Sequence, residues 1–443
     1  MPKKKRKSRL WRRVFMILLL ALTLASFSRW SLQNIRPEYP AVPISVDVVV
    51  VGSGLAGSVA ALSAAEAGAD VLLIDLSKPE EAGFPAFSTS FWAAGSTYQE
   101  ELGIEYSPSA MAAEIYARGR EAGNPGQIRE LAEASAASLD WLEKRTGVLF
   151  SSLADPQLRP GLHLPAFGDA ALFVAPSLAK ELPKLAAYSS VLRPEKLLLD
   201  GGRITGILLR DEEGVLLTVY SRAVILADGG VGGDVGLLFT YTGRTGVVPR
   251  PEGGHGGTGI RLALLAGAIS ESLERAALLP VFLPSGRRLR IAAYPEARYL
   301  DSNGNELLLG ADAAALSRAG GTTFLVLGAG HGEAGGNFTA YDGIDELAVR
   351  LGLPAERLAE TLAALDAPYM VAEVGLIALT PGGLATDEKF RVLGPDGPLE
   401  GLFAAGEIAA GLHGDDIIPE LFFTADTVGP LLAGREAARL ALR

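Results

Sequence analysis

Apolar positions along the chain come in two rhythms, short unbroken runs and stretches with helical spacing, and their order sets the expected elements. The first run, Val46 with residues 48–51, is interrupted only by Asp47. Such a run reads as a strand buried on both faces of a parallel sheet. Gly52, Gly54 and Gly57 follow at once, then residues 56–67 are small and helix-favouring up to Gly68, where a helix would stop. A second run at 71–74 ends on Asp75. Further on, helical spacing covers 107–120 and 127–146, with a stop at Gly147. Strands are expected at 203–210 and 215–220 around a turn, then separately at 223–227. A glycine-rich run at 253–259 opens a helix at 260–266, and helical segments recur at 344–351 and 354–365. The chain closes with a hairpin-like stretch at 390–399, an apolar run at 402–405 and a last helix at about 427–442. Alternating strands and helices of this kind give an α/β fold.

The stretch 44–75 also carries chemistry. Gly52 permits a tight turn, Gly54 lets a diphosphate approach the backbone, and Gly57 lets the helix pack closely on the strand. Ser53, Leu55 and Ala56 fill the same loop, whose free amides and positive helix end would face the phosphates. Asp75, 18 residues beyond the last glycine, is placed to accept hydrogen bonds from ribose hydroxyls, with Leu76 and Ser77 beside it. An ordinary βαβ unit with a glycine-rich turn is the alternative. The ordered succession of strand, glycines, helix, strand and acid favours a dinucleotide.

Composition narrows the class. With 443 residues, 49% of them hydrophobic, and 53 glycines, the chain suits a densely packed α/β protein of two domains or of one large domain with an insertion. Zero cysteines exclude disulfides and thiolate sites, and His163, His255, His331 and His413 show no metal-ligand spacing. His255 lies in the second glycine run, as a catalytic group or a loop histidine. Residues 1–30 carry nine positive charges and no negative one, so removing them takes the net charge from −11 to −20. So acidic a body argues against nucleic acid as a partner. Within that segment a basic flank precedes a short apolar core, the pattern of an export signal or, if uncleaved, a membrane anchor. Arg12-Arg13 is similar to a twin-arginine signal, the rival reading of residues 2–7 being nuclear import. Residues 31–43, with three prolines, read as a tether.

Four stretches together, the opening glycine segment, ILADGG at 225–230, GGTGIRLALLAGA at 256–268 and GLFAAGE at 401–407, resemble one family. It is the flavoprotein family of soluble fumarate reductases and succinate dehydrogenase flavoprotein subunits, with its flavocytochrome c and 3-ketosteroid dehydrogenase branches. The resemblance covers about residues 46–443. It implies FAD, not a nicotinamide, in a Rossmann-like FAD-binding domain (44–270 and 376–443), with an inserted α+β capping domain at 271–375. It places Ser88, Thr89 and Ser90 against the flavin, and Ala227, Asp228 and Gly229 at a motif where relatives have threonine in place of Asp228. Gly406 and Glu407 match the pair that holds the ribitol, and Phe422 and Phe423 fall at the flavin front. No histidine lies near residues 87–90, so FAD is expected to be non-covalent. A small-molecule substrate and a separate electron carrier are implied as well, since no CxxCH haem motif exists.

The catalytic motifs of the fumarate reductases depart here. Their histidine–proline–threonine aligns with Leu283-Pro284-Ser285, their proton-donor arginine with Glu306, and their carboxylate-clamping arginine with Ile417. Asp415, Asp416 and Glu420 crowd the same stretch, so the expectation is a site that repels dicarboxylates and disfavours fumarate or succinate. Residues 427–430 resemble the end of the 3-ketosteroid dehydrogenases, and Ile417, Ile418, Leu421, Phe422 and Phe423 form a greasy front or simply pack under the cap. No acid or base is assigned: Tyr294, Tyr299, Tyr341 and Tyr369 are candidates only, as are the cations Arg287, Arg288, Arg290 and Arg298. The expectation is an exported oxidoreductase acting on a carbon–carbon bond, with a flavin-binding protein that has lost turnover as the rival.

Overall fold

The run of valines forms β1 (Ile44–Val51), its last four residues buried on both faces. The structure, a computed structural model, describes residues 44–75, 90–150, 152–155, 159–166, 170–248, 256–285, 289, 291, 294–307, 316, 319, 322–330 and 335–443. The leader, Leu76, Ser77, Ser88, Thr89, His255, His331, Arg287, Arg288 and Arg290 therefore lie outside the described residues. β1 is followed by the helix α1 (Leu55–Glu66) and by β2 (Val71–Ile74), which pairs in parallel with β1. On its other edge β1 pairs in parallel with Leu216–Leu226, which in turn holds Gly397–Ala404 in parallel. Ala187–Ser189 extends the sheet beyond β2. Every strand around the crossover from β1 to β2 is thus parallel, and the chain leaves each carboxyl end on the same side.

Two expected strands, 215–220 and 223–227, are one. Leu216–Leu226 uses its first half to hold Arg203–Arg210 antiparallel while pairing with β1 from Val219 to Leu226. Ser221 and Arg222 look like a break in the sequence. In the fold Ser221 Oγ donates to Asp47 O at 3.0 Å and Arg222 Nη1 donates to Ala441 O at 2.8 Å, so both polar groups are met without interrupting the ladder.

The last helix, Phe422–Ala441, starts five residues before the expected 427. Pro430 invites a start close to itself, but Phe422 and Phe423 bury into two different apolar clusters and draw the helix forward. This helix packs on α1 through small residues: a Cβ at Gly434 would lie 2.5 Å from Ala60 O, and Ser63 Oγ donates to Leu431 O at 2.7 Å.

A second sheet, all antiparallel, stands where the inserted domain is expected. Ala277–Leu283 pairs with Tyr369–Leu379, which also holds Thr323–Leu327 and Thr339–Tyr341, with Arg298–Leu300 outermost. Helices Ile344–Leu351 and Ala355–Thr361 cover one face. The boundary expected at 375 falls inside a strand: Gly375 pairs with Val281 in mid-ladder, and the chain rejoins the first layer where Ser270–Glu271 meets Gly383–Leu384. No helix among the described residues is long and apolar enough to cross a membrane.

Candidate functional site

The glycine turn after β1 is required by space as well as by conformation. Gly52 has φ +103, and a Cβ there would sit 2.4 Å from Ala227 O. A Cβ on Gly57 would lie 1.7 Å from Gly52 O, so only glycine lets α1 start against the strand end. Gly54 is the N-cap of α1 and supplies no side-chain cap to the first-turn amides of this 12-residue helix. Asp75 is 5% exposed at the end of β2; its Oδ2 accepts from Ser53 Oγ–H at 2.7 Å and from the Ser53 amide. The carboxylate expected to grip a ribose thus also fixes the loop that meets the diphosphate. Leu55 and Ala56 are buried in the first turn.

The neighbouring strand ends converge on this turn. Ala227 N donates to Val51 O at 2.8 Å, and Asp228 Oδ2 accepts the Gly259 amide at 2.8 Å. Asp228 therefore serves the first turn of helix Thr258–Leu265, a capping task that a threonine's shorter hydroxyl would reach less well. Gly229 has φ +84 in this turn. From the third strand, Gly406 has φ +80, and a Cβ there would lie 2.6 Å from Ala56 Cβ. Glu407 Oε1 accepts from Thr380 N at 3.0 Å and Thr380 Oγ1 at 3.2 Å, beside Gly230. Three glycine segments distant in sequence thus meet at the strands' carboxyl ends.

Next to Gly406 a small cavity is lined by Thr380, Glu407, His413, Phe422, Ala425 and Asp426. The first turn of helix Phe422–Ala441, without a side-chain cap, forms one wall. Phe422 belongs here, packed with Leu279, Val281, Ile377 and Leu379 of the second sheet. Phe423 does not. One step round the helix, it sits in the main core against Phe91 and Phe150, with ring centroids 5.5 and 5.8 Å away. Ser90 is half-buried ahead of the Phe91–Trp92 strand, whose Trp92 N donates to Thr424 Oγ1 at 2.7 Å.

His413 is the residue that sequence reading missed. Counted only among four histidines, it is 7% exposed, lies over Phe422 with centroids 4.3 Å apart, and its Nδ1 accepts the Ile418 amide at 3.3 Å. Burial lowers its pKa to about 4. The one signal in the sequence is its place in a glycine-flanked loop just beyond Gly406-Glu407.

The expected repulsion of dicarboxylates needs correction. Asp415 Oδ1 meets Arg275 Nη1 at 2.6 Å, Asp416 Oδ2 meets Arg120 Nη2 at 3.1 Å, and Glu420 lies 2.7 Å from Arg118 and 3.8 Å from Arg159. All three acids are paired with arginines supplied from distant segments, so they are not a bare negative front. Tyr299, Tyr341 and Tyr369 lie in strands of the second sheet, and Tyr294 lies just before one. Tyr341 and Tyr369 face each other across a ladder in the core under its helices. Tyr294 packs on Phe282 and Phe338, and buried Tyr299 has its pKa pushed up to about 12 by desolvation. Arg298 pairs with Glu306 at 2.8 Å. Among the described residues no group of acids and histidines could hold a metal ion.

The model of the FAD binding domain family matches residues 47–415. An NADH:fumarate oxidoreductase of Klebsiella pneumoniae (strain 342) is 25% identical over 451 residues, covering 90% of this chain and 48% of its own length. The chain thus spans about half of that relative. An L-aspartate oxidase of Caulobacter vibrioides is 30% identical over 438 residues, covering 88% of this chain and 76% of its own. Among solved structures, the open conformation of a flavocytochrome c3 fumarate reductase superposes with a TM-score of 0.75 at 21% identity, covering 91% of this chain and 80% of that one. Relatives that reduce fumarate leave no ground for excluding that substrate. The crowded glycine loop, the uncapped start of α1 and the buried carboxylate of Asp75 suit the adenosine diphosphate part of FAD. The chain belongs to the FAD-binding flavoprotein family of the fumarate reductases.

Proposed function

We propose that the chain is an FAD-dependent oxidoreductase acting on the carbon–carbon bond of an activated small-molecule substrate and exchanging electrons with a separate carrier. The observation that carries it is that glycine segments 52–57, 227–230 and 406–407 meet at the carboxyl ends of three parallel strands, where the proposed FAD crevice lies. When bound, the flavin supplies hydride transfer at N5. Amides 54–57 and Asp75 hold the dinucleotide end, and Gly406 gives the ribityl side close access to α1. The uncapped first turn of helix Phe422–Ala441 faces the cavity and favours negative charge there. Phe422, backed by Leu279, Val281, Ile377 and Leu379, gives that cavity an apolar wall, which suits an apolar substrate body. An apolar substrate of the 3-ketosteroid type is therefore the second reading. Attachment is non-covalent in either.

The test is to purify the full chain, record the flavin spectrum, release FAD with acid, and follow anaerobic bleaching or reoxidation with fumarate, succinate and 3-keto steroids as probes. A yellow protein that yields free FAD and turns over one probe supports the proposal. Retention of flavin in the acid pellet overturns non-covalent binding. Failure of a wide panel with artificial carriers overturns enzyme activity in favour of a flavin-binding electron-transfer protein. The basic and apolar leader supports export, and fractionation that leaves the whole protein in the cytoplasm would contradict it.

A further inference from the structure

We propose that His413 donates a hydrogen bond from Nε2–H to the bound flavin, as a neutral imidazole; this rests on FAD occupying the crevice. The proton's place follows from the contacts. Nδ1 accepts the Ile418 amide, so it carries no hydrogen and the ring's one N–H is at Nε2. Among the described residues nothing accepts from that N–H. Glu407 lines the same cavity, with its Oε1 engaged by Thr380. The ring keeps 7% exposure and lines the cavity, so its N–H is open to an acceptor on a guest bound there.

The ring is also held for such a task. Phe422 lies 4.3 Å from it at an interplanar angle of 32°. The loop that bears it docks without slack on the segment after helix Pro108–Arg118: a Cβ on Gly119 would sit 2.7 Å from His413 O, and one on Gly411 would sit 2.1 Å from Gln127 Oε1. Asn124 N donates to Gly411 O at 2.7 Å and Asp415 N donates to Gly119 O at 2.9 Å, clamping the loop on both sides of the histidine. Gly406, in the same cavity wall, lies against Ala56 in the first turn of α1. A ligand running from the glycine loop past Gly406 therefore arrives at His413. Burial keeps the ring uncharged at neutral pH, so it offers a dipole, not a cation.

A donor of this kind is stronger toward the electron-rich reduced flavin than toward the oxidised one. The test uses the full chain loaded with FAD. His413→Phe keeps an aromatic ring against Phe422 and removes the donor; His413→Gln keeps an N–H of similar reach. The expected result is that His413→Phe loses about tenfold of the preference for reduced over oxidised flavin. For a two-electron couple that lowers the midpoint potential by about 30 mV. His413→Gln is expected to recover most of it. An unchanged potential in His413→Phe, or an equal shift in both variants, overturns the proposal. Should His413→Phe not fold, 15N-histidine spectra of the wild type decide: the His413 Nε2 signal moves when FAD is stripped and returns on reloading, and an unmoved signal is the contrary result. A chain that takes up no FAD overturns the cofactor assignment as well, whereas normal FAD binding with an unmoved signal overturns only the role of His413.

Discussion

Adding a single methyl group at position 57 should separate the site from the rest of the fold. In Gly57→Ala the new Cβ would stand 1.7 Å from Gly52 O and 2.7 Å from Gly52 C, against a carbon–oxygen contact of about 3.3 Å. Roughly 1.5 Å must be opened between two backbone segments. Neither yields easily. Gly52 N donates to Ile74 O at 2.8 Å, and α1 is pinned to the last helix where Gly434 meets Ala60. Overpacking usually costs about 1–3 kcal/mol, and a backbone-to-backbone clash belongs at the upper end. The amides that would meet the diphosphate shift with the turn, so FAD affinity should fall by about 100-fold or more, equivalent to about 2.7 kcal/mol. Flavin fluorescence titration reads the dissociation constant, and melting with and without FAD reads the stability. If Gly57→Ala binds FAD as tightly as the wild type, the diphosphate does not lie on this turn and the reasoning fails.

Asp75→Asn keeps size but removes the charge that orders Ser53, and FAD affinity should drop about tenfold with little loss of flavin-free stability, as read by titration and melting. Phe423→Ala empties a fully buried site against Phe91 and Phe150 and should cost about 3–5 kcal/mol in urea unfolding, while the flavin potential of the folded variant stays put. Arg118→Ala leaves Glu420 with only Arg159 at 3.8 Å; because these groups are partly exposed, the cost should stay near about 1 kcal/mol and shrink in high salt. His413 has its pKa lowered by burial from an unfolded value of 6.5 to about 4, so the unfolded chain binds the extra proton first. Its contribution is fully present above pH 6.5 and is lost as pH falls from 6.5 to 4, up to roughly 3 kcal/mol. His163, lowered in the same direction by burial, also loses its contribution as pH falls below 6.5. Urea midpoints at pH 7.5 and 4.5 should therefore differ less in His413→Phe than in the wild type.

The central sheet was legible because its signals are local. The valine run, the three glycines and Asp75 each announce one backbone requirement, and the structure places them on β1, the turn and the end of β2. What escaped depends on partners far along the chain. Asp415, Asp416 and Glu420 read as a negative front because nothing nearby in sequence reveals Arg118, Arg120, Arg159 and Arg275 beside them. Phe422 and Phe423 look alike in sequence, and only the helix turn sends one to the cavity and the other to the core. His413 gave no periodic signal, only its place in a glycine-flanked loop beyond Gly406-Glu407. Its environment is made by Gly119, Gly411 and Phe422, which the fold brings together from three segments.

The most direct measurement is the position of the diphosphate in a crystal structure of the FAD-loaded chain. The phosphate oxygens should lie within hydrogen-bond reach of the amides at 54–57, with the adenosine ribose on Asp75. Density for FAD anywhere else, with that turn left to solvent, would contradict the account.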